Sequence, residues 1–223
     1  MTDTIVIAHR VSSRIRAYVL LTKPRVIELL LVTTVPAMIL ADDGLPSLTL
    51  IGAVLLGGAL AAGGANTINC WIERDRDRLM HRTERRPLPA GQIEPGRALV
   101  FGIALEAIAF LWLWGTVNLL AAALAVSAML FYVFVYTIWL KPRSPQNIVI
   151  GGAAGAVPVL VGWASVTGRL EAPAWVLFAI VFCWTPPHFW ALSLQYRDDY
   201  AAAGIPMLPV ARGVASAARQ ILA

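Results

Sequence analysis

Charge is what this chain has least of. Only 14% of its 223 residues are Asp, Glu, Lys or Arg, against roughly 25% in an ordinary soluble domain. With 58% hydrophobic residues and a mean hydropathy of +0.70, that deficit argues against a water-soluble domain and for a membrane protein. Cysteine is also scarce. Cys70 and Cys183 both sit in apolar stretches, with no CxxC or Cys/His spacing. Buried free thiols are therefore expected rather than a disulfide or a metal pair. No cleavable leader is visible, because residues 1–25 are polar and basic and the first apolar run starts at Val26. No polar segment is long enough to hold a soluble domain, and nucleic acid is not an expected partner.

What is present is a series of long apolar runs. A spanning helix needs about 20 mostly apolar residues. Six stretches qualify, at roughly 26–41, 48–72, 98–117, 119–140, 147–166 and 173–195. The reading is one all-α, multi-pass transmembrane helix bundle occupying residues 26–223. An interfacial arm precedes it over 1–25 and carries Arg10, Arg14, Arg16, Lys23 and Arg25. After Tyr200, "AAAGIPMLPVARGVASAARQILA" reads as a loop and the start of a seventh helix, so a C-terminal portion is expected to be missing.

The few charges are unevenly placed. Seventeen Lys and Arg fall in the arm and in the connections after spans two, four and six, and only Arg169 falls on the other side. By the positive-inside rule the N-terminus and the charged loops are cytoplasmic.

The densest charge lies at "NCWIERDRDRLMHRTERRPLPAG" (69–91). Apart from Leu79, Met80, His81 and Thr83, every position from Glu73 to Arg86 is Arg, Asp or Glu. Asn69, Glu73 and Asp77 are spaced four apart, so on a helix they share a stripe about 80° wide, with Asn66 in the same arc. Asp75 points elsewhere, towards neighbouring arginines. Hard oxygen ligands in this pattern suit Mg²⁺ shared with substrate phosphates, and Arg82 and Arg86 can grip phosphate oxygens. A charged helix end meeting anionic lipid is the plainer alternative. The two asparagines count against it, because lipid offers them no partner.

Two further clusters lie on the same side. In "CWTPPHFWALSLQYRDDY", Pro186 and Pro187 predict a kink or unwound turn at His188. Asp198 and Asp199 then fall at the charged end, where a metal site joint with Glu73 and Asp77 is topologically possible. In "LKPRSPQNIVIGGAAGAVPVLVGW", Lys141 and Arg143 precede a run of small residues suited to close helix packing. Lys141 reads equally as a topology signal or a phosphate ligand.

The stripe Asn69–Glu73–Asp77 followed by "RTERRPLPAG" resembles the first acidic motif of the UbiA-type intramembrane prenyltransferases. "NIVIGGAAGAVP", "TPPHFW" and "AGIPMLP" resemble, within that family, the branch that farnesylates protohaem IX. The similarity runs from about Lys23 to Val210. It implies nine membrane helices around a cavity open to the cytoplasm, and Mg²⁺ as cofactor. Metal and catalytic groups would be Asn69, Glu73, Asp77, Asp198 and Asp199. Arg82, Arg86, Lys141 and Arg143 would bind the diphosphate of farnesyl diphosphate, and His188 would meet the haem. Association with haem A synthase or terminal oxidase assembly is a further implication. Two departures from the family pattern are Glu73, where Asp is usual, and "KPRSPQN", which is less basic than usual. The rival readings are prenylation of a quinone precursor, a transporter and a non-enzymatic scaffold. A transporter predicts polar groups across the whole bilayer, whereas here they concentrate at one side.

Overall fold

The computed structural model describes residues 14–222; part of the basic arm, including Arg10, lies outside the described residues. Residues 14–21 are helical. Then follow α1 (Pro24–Asp42), α2 (Leu48–Asp77), α3 (Pro95–Thr116), α4 (Leu119–Leu140), α5 (Asn147–Thr167) and α6 (Ala172–Gln195). The chain closes with the short α7 (Arg197–Ala202) and α8 (Leu208–Arg212), then α9 (Val214–Leu222). The first six are long and apolar enough to cross a membrane. Among the described residues there is no strand.

The helix ends follow from local chemistry. Ser47 caps α2, its Oγ accepting the Leu50 N–H at 3.2 Å. Asn118 caps α4 through Oδ1 and also donates to the Ala164 carbonyl of α5. Prolines open α1, α3 and α6, where the absent N–H has no intrahelical partner to lose. Gly168, at φ 69°, ends α5 in the left-handed region.

Two helices depart from the sequence expectation. The second span was expected to end near residue 72, but α2 stays helical to Asp77, which keeps the whole acidic stripe on one rigid face. The expected unwound turn at Pro186–Pro187 is absent, and α6 runs unbroken through both prolines. Prolines cost a helix two N–H donors, but a membrane helix tolerates that where its neighbours support it.

The most buried spanning helix is α5, pressed on by α1, α4 and α6, while α3 packs along α2. Large apolar side chains such as Val32, Leu40, Ile103, Trp139 and Ile180 point outwards, as a lipid-facing surface requires. Glycine on α5 lets α1 approach closely. A Cβ built on Gly162 would lie 2.6 Å from the Thr34 carbonyl oxygen, a backbone atom that cannot rotate away. Gly162→Ala is therefore expected to cost about 1–3 kcal/mol, read as a lower melting temperature in detergent.

Candidate active site

The charged residues that the sequence scatters come together at one end of the bundle, where α2 runs out into the 78–94 loop. Asn66, Asn69, Glu73 and Asp77 are all buried. Asp75 is exposed and lies near Arg74 and Arg78, at 3.6 and 3.7 Å. The stripe thus faces protein, not lipid.

Each stripe residue has a partner from another element. Asn69 Oδ1 accepts from Lys23 Nζ at 2.7 Å, and its Nδ2 donates to Thr137 Oγ1 at 3.1 Å. Asn66 Nδ2 donates to the Thr22 carbonyl. Glu73 pairs with Lys141, and both side chains are largely buried. Asp77 Oδ2 accepts from Arg86 Nη1 at 2.9 Å, and Thr83 Oγ1 donates to the Asp77 carbonyl. The 78–94 loop is thereby folded back against the helix that precedes it.

Three cations, Lys23, Arg86 and Lys141, surround two carboxylates, so the cluster carries an excess of positive charge suited to an anion. Burial disfavours the Lys141 ammonium, but Glu73 outweighs it and holds the lysine pKa above its ordinary value. Arg86 behaves alike: burial opposes its charge, and Asp77 more than compensates. For Lys23 burial wins, and its pKa is lowered.

The lysine missed by sequence reasoning is Lys23. It reads as an interfacial residue, yet its backbone sits at φ 55° and its side chain turns inwards to Asn69. A left-handed lysine is uncommon and persists only where the surroundings hold it. Thr137 was missed as well. It lies on the π-helical stretch Phe131–Leu140 of α4. A π-helix winds at about 4.4 residues per turn, so Tyr132, Thr137 and Lys141 fall within about 50° of one another. On an α-helix at about 100° per residue, Lys141 would lie half a turn from Tyr132. The wider winding brings Thr137 and Lys141 round to Asn69 and Glu73.

Among the described residues, no hydrogen bond or ion pair ties the remaining expected residues to this cluster. Arg143 is exposed, and its Nη1 donates to the Ile138 and Trp139 carbonyls. Basic side chains near a helix C-terminus commonly take unsatisfied carbonyls in this way. Asp199 accepts backbone N–H groups from His81 and Arg82, while Asp198 is exposed. His188 is exposed on α6, stacked on Trp184 at 4.3 Å and edge-on to Phe189. Both cysteines are free thiols; Cys70 is buried as expected, whereas Cys183 is exposed, because it lies on the outward, apolar face of α6 beside Ile180 and Trp184.

Among the described residues, no three His, Cys, Asp or Glu side chains gather closely enough to form a ready-made metal cage. Within this cluster Glu73 Oε1 is met by Lys141, whereas Asp77 Oδ1 is buried and has no hydrogen-bond partner. A hard carboxylate oxygen of this kind fits Mg²⁺.

Residues 30–223 match the UbiA prenyltransferase family. The chain belongs to the UbiA prenyltransferase family. Relatives within it include the protoheme IX farnesyltransferase of Parafrankia sp., 58% identical over 96% of this chain and 68% of that protein. The protoheme IX farnesyltransferase of Clavibacter sepedonicus is 58% identical over 95% of this chain and 69% of its own length. Two solved structures share the UbiA fold at low identity. One is a UbiA homologue from Archaeoglobus fulgidus bound to GPP and Mg²⁺, with TM-score 0.71 and 21% identity over 92% of this chain and 72% of that one. The other comes from work on digeranylgeranylglyceryl phosphate synthase, with TM-score 0.73 and 19% identity over 92% of this chain and 71% of that one.

Proposed function

We propose that this chain transfers a farnesyl group from farnesyl diphosphate to a vinyl group of protohaem IX, giving haem O. What carries the reading is identity of 58% to protoheme IX farnesyltransferases in a chain whose oxygen donors and cations converge at one end of a membrane bundle. That end is cytoplasmic, in a bacterial inner membrane. Residues 26–223 form the prenyltransferase domain.

Asn69, Glu73 and Asp77 would hold Mg²⁺, with Asp77 Oδ1 the atom left free for it, and Asp198 would approach from the second acidic segment. Bound Mg²⁺ supplies charge neutralisation to a diphosphate. Arg86, Lys141 and Arg82 bind and orient the diphosphate as its bond to farnesyl C1 breaks. The terminal vinyl carbon then bonds to C1. Water adds to the neighbouring carbon, which carries the positive charge, and loses a proton. Tyr132 and Tyr136, stacked at 5.6 Å, offer ring faces to the allylic cation and keep water from it. His188, with Trp184 against it, orients the porphyrin. Hand-over of the product to haem A synthase or terminal oxidase assembly follows from this reading.

His188→Ala removes an exposed side chain. Stability is expected to change by no more than about 0.5 kcal/mol, while haem retention, read by the Soret absorbance, falls. The function itself is tested by mass spectrometry of haem extracted from cells with and without the protein. A haem that has gained a farnesyl group and a hydroxyl on one former vinyl side chain only in its presence supports the reading. Unchanged haem with a prenylated quinone precursor overturns it in favour of that acceptor.

A further inference from the structure

We propose that the adjacent aspartates after α6 divide two tasks. Asp199 is a positioning residue that clamps the Arg82 loop over the site, and Asp198 is left free towards the cleft. Both Asp199 oxygens are occupied: Oδ1 accepts the His81 N–H at 3.2 Å and Oδ2 the Arg82 N–H at 3.1 Å. These bonds join segments more than a hundred residues apart in sequence, and hydrogen bonds to a charged acceptor are the strong kind. The clamp has two further contacts. The Arg82 guanidinium lies over the Tyr196 ring at 4.9 Å and near that of Tyr200 at 6.0 Å, both from the segment that carries Asp199. Beneath them Met80 is buried among Ile148, Tyr200, Ile205 and Met207.

Asp198 is different. It is exposed and makes no hydrogen bond or ion pair among the described residues. It lines a cleft of about 300 Å³ with His81, Arg82, Gln195, Tyr196 and Asp199. A cation bound by Asp199 would share its carboxylate with two backbone amides, whereas one bound by Asp198 displaces only water. The clamp stands on contacts alone; its consequence for diphosphate, through the placing of Arg82, rests on the function proposed above.

The test uses the full chain in detergent. In the wild-type protein, the His81 and Arg82 amides are expected to exchange at least about tenfold more slowly than the Arg85 amide. Asp199→Asn is expected to raise tryptic cleavage after Arg82 and Arg85 about tenfold, leaving cleavage after Arg143 and Arg169 unchanged. Asp198→Asn leaves all four sites unchanged. With inorganic diphosphate as probe, Asp199→Asn weakens retention without moving the Mg²⁺ midpoint, and Asp198→Asn moves that midpoint. Arg82→Ala weakens retention while the Arg85 site stays protected. The proposal is overturned if His81 and Arg82 exchange as fast as Arg85, or if Asp199→Asn shifts the Mg²⁺ midpoint with the loop still protected. Should Asp199→Asn loosen every site, the wild-type exchange rates decide. Failure of the wild-type protein to retain diphosphate would remove the functional reading and leave the clamp standing.

Discussion

Lys141→Met is expected to lower stability by about 3–5 kcal/mol, because it strands a buried carboxylate. Glu73 is 3% exposed, and its cationic partner in an ion pair is Lys141 Nζ. Lys23, the nearest alternative cation, already donates to Asn69. Methionine fills the volume of the lysine stem, so the loss isolates the charge. The double variant Lys141→Met with Glu73→Gln should recover most of the stability and none of the activity, since both groups belong to the proposed diphosphate site. Thermal unfolding followed by tryptophan fluorescence in detergent reads the first effect, and a radiolabelled farnesyl transfer assay reads the second. The pair also sets a pH expectation. Because Lys141 has a raised pKa in the folded protein, its stabilisation is fully present below the ordinary lysine value of 10.5 and is lost only as pH rises above it. The Lys141 contribution should therefore be flat across neutral pH.

The six spans and the acidic stripe were legible in the sequence. Lipid demands long apolar runs, and helical geometry alone puts Asn69, Glu73 and Asp77 on one face. What was not legible depends on tertiary contacts. Lys23 looks like any basic residue before a first span; only its left-handed backbone turns it inwards. The π-helical winding of Phe131–Leu140 leaves no periodic signature in ten residues that are nearly all apolar, so neither Thr137 nor the path of Lys141 could be placed. Arg143 and Lys141, two residues apart, have opposite fates: one caps a helix and the other enters the site. Spacing gives their shared side of the membrane and nothing finer. Likewise the pair Asp198–Asp199 reads as one acidic motif, whereas the structure gives one of the two to backbone amides.

Asp77→Asn is the second large effect. Turnover is expected to fall on the order of 10²–10³-fold, the scale typical of losing one electrostatic contributor at a reacting centre. The carboxylate has two oxygens with separate tasks. Oδ2 is held by Arg86, and Oδ1 is buried without a partner. An asparagine can keep the Arg86 hydrogen bond through its carbonyl oxygen. Its other terminus is then an NH₂ group, which repels a cation. Activity is thus expected to fall much further than stability, which should drop by about 1–3 kcal/mol for the weakened pair. Single-turnover kinetics at saturating farnesyl diphosphate, alongside melting curves, separate the two effects. Equal losses in both would mean that Asp77 serves the fold alone.

The central claim is that the end of α2, with Arg86 and Lys141 folded over it, holds a divalent cation and a diphosphate together. Anomalous diffraction from crystals of the protein grown with Mn²⁺ and a non-hydrolysable farnesyl diphosphate analogue tests this most directly. The account predicts a manganese peak about 2.2 Å from Asp77 Oδ1, on the scale of metal–carboxylate contacts, with the diphosphate between it and Arg86 and Lys141. A peak remote from Asp77, or a diphosphate bound with no metal beside that oxygen, would contradict it.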